Sequence, residues 1–76
     1  MSKETRDEQA VTAADVAEMV QAVRDVADDP ETAHGREDLV WLAVLHAIAG
    51  GTADDPAACA REAVMTITVD FPRWYA

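Results

Sequence analysis

His34, Glu37, Asp38 and His46 form the only grouping of side chains in this sequence with the elements of ligand chemistry. His34-x-x-Glu37 has the i, i+3 spacing that sets an imidazole and a carboxylate on one helical face, and carboxylate-bridged metal sites in helical bundles use related spacings. Two features of the sequence argue against a site. Gly35 is expected to interrupt the helix between His34 and Glu37, and no second acid-and-histidine pair completes a coordination set. His46 falls at the other end of the same segment, too far along the axis to join His34 within one chain. Glu37 and Asp38 are better read as favouring the positive end of a helix dipole, with His34 against the preceding loop. No catalytic, cofactor-binding or metal-binding residue is assigned, and the chain is expected not to be an enzyme. Nucleophile elbow, phosphate-cradling loop, zinc-finger cysteine pattern and dinucleotide fingerprint are all missing from the sequence.

The elements that would position these groups are announced by a repeated tetrapeptide, Ala-Asp-Asp-Pro, at Ala27 to Pro30 and Ala53 to Pro56. Asp29 and Asp55 can accept hydrogen bonds from the free N–H groups of a new helical turn. Pro30 and Pro56 suit the first helical position because they have no N–H to satisfy. Independent recurrence of a good helix start is a simpler account than duplication, since repeat arrays generally need three or more units.

Three helices follow. Thr12-x-x-Asp15 reads as a capping box with a shorter acid. It opens a first helix with Val16, Val20, Val23 and Ala27 on one stripe, Met19 and Val26 beside it, and a surface pair between Arg24 and Asp28. After Pro30 a short turn over Glu31 to Gly35 is expected, then a main second helix from about Arg36 to Ala49, closed by Gly50-Gly51. Leu39, Val40, Trp41, Leu42, Val44, Leu45 and Ile48 point in nearly every direction around that helix, leaving a narrow polar sector that includes His46. Such a helix requires burial on all sides. Two other helices cannot provide it, so the C-terminal tail or a second copy of the chain is expected to cover the remainder. The third helix is expected from Pro56 to Thr66 or Ile67, with Ala60, Ala63, Val64 and Ile67 inward. The β-branched run Thr66-Ile67-Thr68-Val69 suggests a short extended segment over residues 66–70. The tail carries three of the four aromatic residues, Phe71, Trp74 and Tyr75, in the last six positions. The fold class is therefore all-α: a small three-helix bundle with an aromatic C-terminal tail. Residues 1–9 are read as a flexible polar N-terminus and 10–76 as a single helical domain.

Composition bounds the partners. At 76 residues with half of them apolar, the chain can form one core near the lower size limit for unaided folding. The formal net charge of -9 disfavours direct binding to nucleic acid phosphates and favours a basic protein partner. Cys59 is the only cysteine and lies in an alanine-rich helical pattern, as a small buried hydrophobe would. With no signal-like segment at the start and no apolar run of membrane-spanning length, a cytoplasmic location without membrane contact is expected.

The run Ala33-His34-x-x-Glu37-Asp38-x-x-x-x-x-Val44-Leu45-x-x-Ile48-Ala49-x-Gly51, with Asp70-Phe71-Pro72-Arg73-Trp74 near the end, resembles a set of short, acidic, uncharacterised proteins of actinobacteria and their phages. The resemblance covers roughly residues 28–76 and implies a provenance rather than an activity. The functional expectation is a non-enzymatic interaction, regulatory or scaffolding module that pairs as a homodimer through its second helix. A host or basic protein is the further partner it would suit. Trp41, Leu42, Leu45, Phe71 and Trp74 are the candidate contact residues, although Phe71 and Trp74 are first expected to fold back and cap the helical core, with an aromatic anchor for a partner as the sharper reading. The alternative is an acidic nucleic-acid mimic that occupies a DNA-binding protein; a metal-binding or enzymatic helical protein is a distant third.

Overall fold

A computed structural model describes residues 10–73. Helix α1 spans Ala13–Asp25, α2 spans Pro30–Gly50 and α3 spans Pro56–Val64, followed by a 3-10 turn at Met65–Thr68. Each helix packs against the other two, giving the expected small all-α bundle. Trp74 and the expected flexible stretch at 1–9 lie outside the described residues. Among the described residues no helix is long and apolar enough to cross a membrane.

Local chemistry fixes the helix ends. The Thr12 hydroxyl accepts a hydrogen bond from the Asp15 amide at 3.1 Å, and the Asp15 carboxylate accepts one from the Thr12 amide at 3.0 Å. This reciprocal box satisfies two otherwise free donors. Asp29 and Asp55 cap α2 and α3 as their sequence context predicts, accepting from the Thr32 and Ala58 amides at 3.4 and 3.1 Å. The second of these is the better hydrogen bond. Asp55→Ala is accordingly expected to cost about 1 kcal/mol in chemical denaturation. At the far end of α2, Gly51 takes φ 77, where a side chain would be strained. The Thr52 amide donates to Ala47 O at 2.8 Å and the Gly51 amide to Ile48 O at 3.2 Å, which is the paired pattern of a Schellman cap. Beyond it, Val11 and the loop residue Ala53 form a single parallel bridge that ties the entry to α1 against the α2–α3 connection.

Small side chains fill the space between the helices. The core consists of Val16, Val20 and Val23 from α1, Ala33, Val40, Val44 and Ala47 from α2, Cys59 and Ala63 from α3, and Val69 and Phe71 from the tail. Glu37 and Thr66 are buried with them. On α2 the buried positions 33, 37, 40, 44 and 47 alternate steps of four and three, a narrow seam of the kind that follows one side of a helix packed nearly parallel to its neighbours.

Several sequence expectations are corrected. Gly35 does not break α2, which runs unbroken through it. The helical penalty of about 1 kcal/mol for a glycine is outweighed because Ala33 and Glu37 on either side are both anchored in the core. Helix α1 stops at Asp25, and Ala27 packs against the core from just beyond its end, while the expected Arg24–Asp28 pair is replaced by a 3.1 Å hydrogen bond from the Arg24 guanidinium to the Thr68 hydroxyl. Helix α3 and the 3-10 turn after it face inward through Cys59, Ala63 and Thr66, while Val64 and Ile67 face out. The segment expected to be extended is instead a 3-10 turn, and the backbone becomes extended only at Val69. Thr68 stabilises the turn by donating its hydroxyl to Met65 O at 2.7 Å. Its local bonds override the β-branched preference of the run.

Candidate interaction surface

The valine and alanine core leaves the chain's larger aliphatic groups outside. All three leucines, Leu39, Leu42 and Leu45, and both isoleucines, Ile48 and Ile67, are exposed, together with Trp41, Val64 and Met65. Leu42 is 52% accessible and Leu45 63%. Single exposed leucines are ordinary on protein surfaces; a run of them on one face of one helix is not. Leu39, Leu42, Leu45 and Ile48 follow one another at steps of three, forming a ridge that crosses the outer face of α2 obliquely.

An apolar groove borders the ridge on each side. One, of about 300 Å³, lies between α1 and α2 and is lined by Met19, Ala22, Arg36, Leu39, Val40 and Ala43. The other, of about 220 Å³, lies between α2 and α3 and is lined by Trp41, Val44, Leu45, Ala63 and Val64. Leu42 lines neither groove and stands between them. A side chain entering either groove would meet hydrocarbon almost throughout, with the Arg36 guanidinium as the charged group at the first.

The wall of the second groove is held by a polar network. Trp41 donates its indole N–H to the Thr66 hydroxyl at 2.9 Å, which turns the ring toward α3 and leaves its edge open. The Thr66 carbonyl in turn accepts from Arg73 Nη2 at 2.9 Å. Arg73 Nε and Nη2 grip the Glu37 carboxylate at 3.0 and 2.9 Å, while Nη2 also reaches Val69 O at 3.1 Å and Nη1 reaches Phe71 O at 3.2 Å. The guanidinium lies 3.9 Å from the centre of the Phe71 ring. A planar fork suits this task because it can serve a carboxylate and several carbonyls at once. The hydrogen bond to Glu37 raises the Arg73 pKa further above its ordinary value, and the charge of Asp70 adds to this against partial desolvation. Arg73 therefore remains a cation wherever the protein is folded.

The sequence candidates divide accordingly. Trp41, Leu42 and Leu45 share the exposed outer side of α2. Phe71 does not join them: it is buried in the core under Arg73, so the tail through Arg73 closes the base of the bundle without covering the leucines. Trp74 lies outside the described residues. His34 sits on α2 with Nδ1 3.7 Å from Asp38 Oδ2. Glu37 is committed to Arg73 and turned away from His34's partner, and His46 is exposed near the opposite end of α2. Among the described residues no three His, Cys, Asp or Glu side chains converge as a metal site would require.

The Glu37–Arg73–Thr66 cluster is the feature that sequence reading missed. Its signal was present in register: Glu37 occupies the same four-three seam as Ala33, Val40, Val44 and Ala47, and an acid in such a seam demands a buried partner. Comparison of the chain with family models, curated proteins and solved structures found no match.

Proposed function

We propose that this protein is a non-enzymatic interaction module that self-associates through the outer face of α2. One observation supports this above the others: Leu39, Leu42, Leu45 and Ile48, which gain strongly from leaving water, are collected on that face while valine and alanine fill most of the interior. A second copy presents the same hydrocarbon and lets both faces be covered by one contact. A basic host protein carrying an apolar ridge would compete for the same surface.

The nucleic-acid mimic remains a different reading, supported by the charge of -9. It is weakened because Asp15, Asp29 and Asp55 each direct a carboxylate oxygen at a helix start. Salt separates the two. Two copies of a polyanion repel one another, so raising salt screens the repulsion and strengthens apolar self-association. Light scattering at increasing salt should show the dimer fraction constant or rising; a dimer that dissociates as salt rises would argue against an apolar contact.

A further inference from the structure

We infer that the two copies meet antiparallel, with the two-fold axis passing beside Leu42. This rests on the self-association proposed above and adds its geometry. Around a two-fold of this kind the residue n positions before the centre faces the residue n positions after it on the other copy. The exposed face of α2 is matched to itself about Leu42 in that sense. Three positions away on either side stand Leu39 and Leu45, four away stand Asp38 and His46, and seven away stand Gly35 and Ala49. All seven residues are exposed.

Helical geometry places them together. At about 100° per residue, Gly35 and Ala49 lie within about 20° of the Leu42 direction, Asp38 and His46 about 40° to either side, and Leu39 and Leu45 about 60° to either side. The small residues at both ends of the stripe let the backbones remain close, and nothing lies within 4 Å of where a Cβ would stand on Gly35. Leu42 meets Leu42 on the axis, each Leu39 stands level with Leu45 of the other copy at the opposite edge of the contact, and each Asp38 carboxylate comes level with the other copy's His46 imidazole across its centre. A parallel arrangement would instead set Asp38 against Asp38 and align the two helix dipoles side by side. Antiparallel pairing removes both repulsions.

Disulfide trapping tests the register. Two cysteines can bridge only when their Cα atoms approach within about 7 Å. Under mild oxidation, Leu42→Cys is expected to give a covalent dimer in high yield and Ala49→Cys none, because Ala49 faces Gly35 rather than itself. Cys59 is fully buried and the unsubstituted chain serves as its control. Cross-linking of both variants would overturn the antiparallel arrangement in favour of a parallel one. Cross-linking of neither, with the unsubstituted chain dimeric by sedimentation, would move the axis away from Leu42 and leave the α2 contact standing. A strictly monomeric unsubstituted chain would remove the self-association itself. Charge exchange supplies a second reading that needs no new cysteine. His46→Glu is expected to weaken association about tenfold by facing Asp38 with a like charge, and adding Asp38→Lys in the same chain should restore it to within about threefold. Failure of the second substitution to rescue the first would also overturn the register.

Discussion

Arg73→Ala is expected to lower the unfolding free energy by about 2–3 kcal/mol, a large share of the total for a domain of this size. The effect comes from what remains behind. Glu37 is 5% accessible, and without the guanidinium its carboxylate stays buried with no cation, while the carbonyls of Thr66, Val69 and Phe71 lose donors. The side chain of Arg73 is 36% accessible, so the figure is set below the 3–5 kcal/mol typical of breaking a fully buried pair. Glu37→Gln should cost less, about 1–2 kcal/mol, because the amide keeps one acceptor for the fork and leaves Arg73 able to turn toward water. Arg73→Lys should recover under half of the alanine loss, since a single ammonium cannot serve both carboxylate oxygens and the carbonyls together. Urea titrations followed by circular dichroism would rank the three. A loss for Glu37→Gln equal to or above that for Arg73→Ala would show that the buried carboxylate is not the costly partner.

Leu45→Glu is expected to act in the opposite way, leaving the folded monomer intact and removing its association. At 63% accessibility the side chain contributes little to the bundle, so monomer stability should change by no more than about 0.5 kcal/mol. In the dimer, two symmetry-related carboxylates would be held against hydrocarbon, and an apparent loss of about a hundredfold or more in affinity follows. Circular dichroism and sedimentation on the same sample separate the two effects. Unfolding of the monomer by Leu45→Glu would mean that Leu45 belongs to the core. The contrast with Arg73→Ala is the useful one: a change at the Arg73–Glu37 pair should lower the stability of the fold, and a change on the ridge should only separate two copies.

The features legible in the sequence were those decided within three or four residues. Thr12 with Asp15, Asp29 with Pro30, Asp55 with Pro56, and Gly51 all combine a side chain or φ preference with the backbone beside it. Three helix starts and one helix end were therefore readable without any tertiary knowledge. The face α2 buries was not. Its seam of Ala33, Glu37, Val40, Val44 and Ala47 and the outer positions Asp38, Trp41, Leu45 and Ile48 share the same spacing one residue apart, so periodicity cannot choose between them. Hydrophobicity favours the outer set as the core. The choice is made by what α1 and α3 offer in return, Val16, Val20, Val23, Cys59 and Ala63, whose small side chains pair with others of like size. Arg73 and Glu37 escaped for a related reason, being 36 residues apart and joined only once the tail folds over Phe71. The surplus of apolar residues on α2 was legible and pointed to a covering partner; which of them were surplus required the structure.

The central claim, that the ridge on α2 brings two copies together, is tested most directly by sedimentation equilibrium of the unsubstituted chain and Leu45→Glu over micromolar to millimolar concentration. The unsubstituted chain should rise from the monomer mass to twice that value, and Leu45→Glu should remain at the monomer mass throughout. A monomer mass for both, or the same rise for both, would contradict the claim.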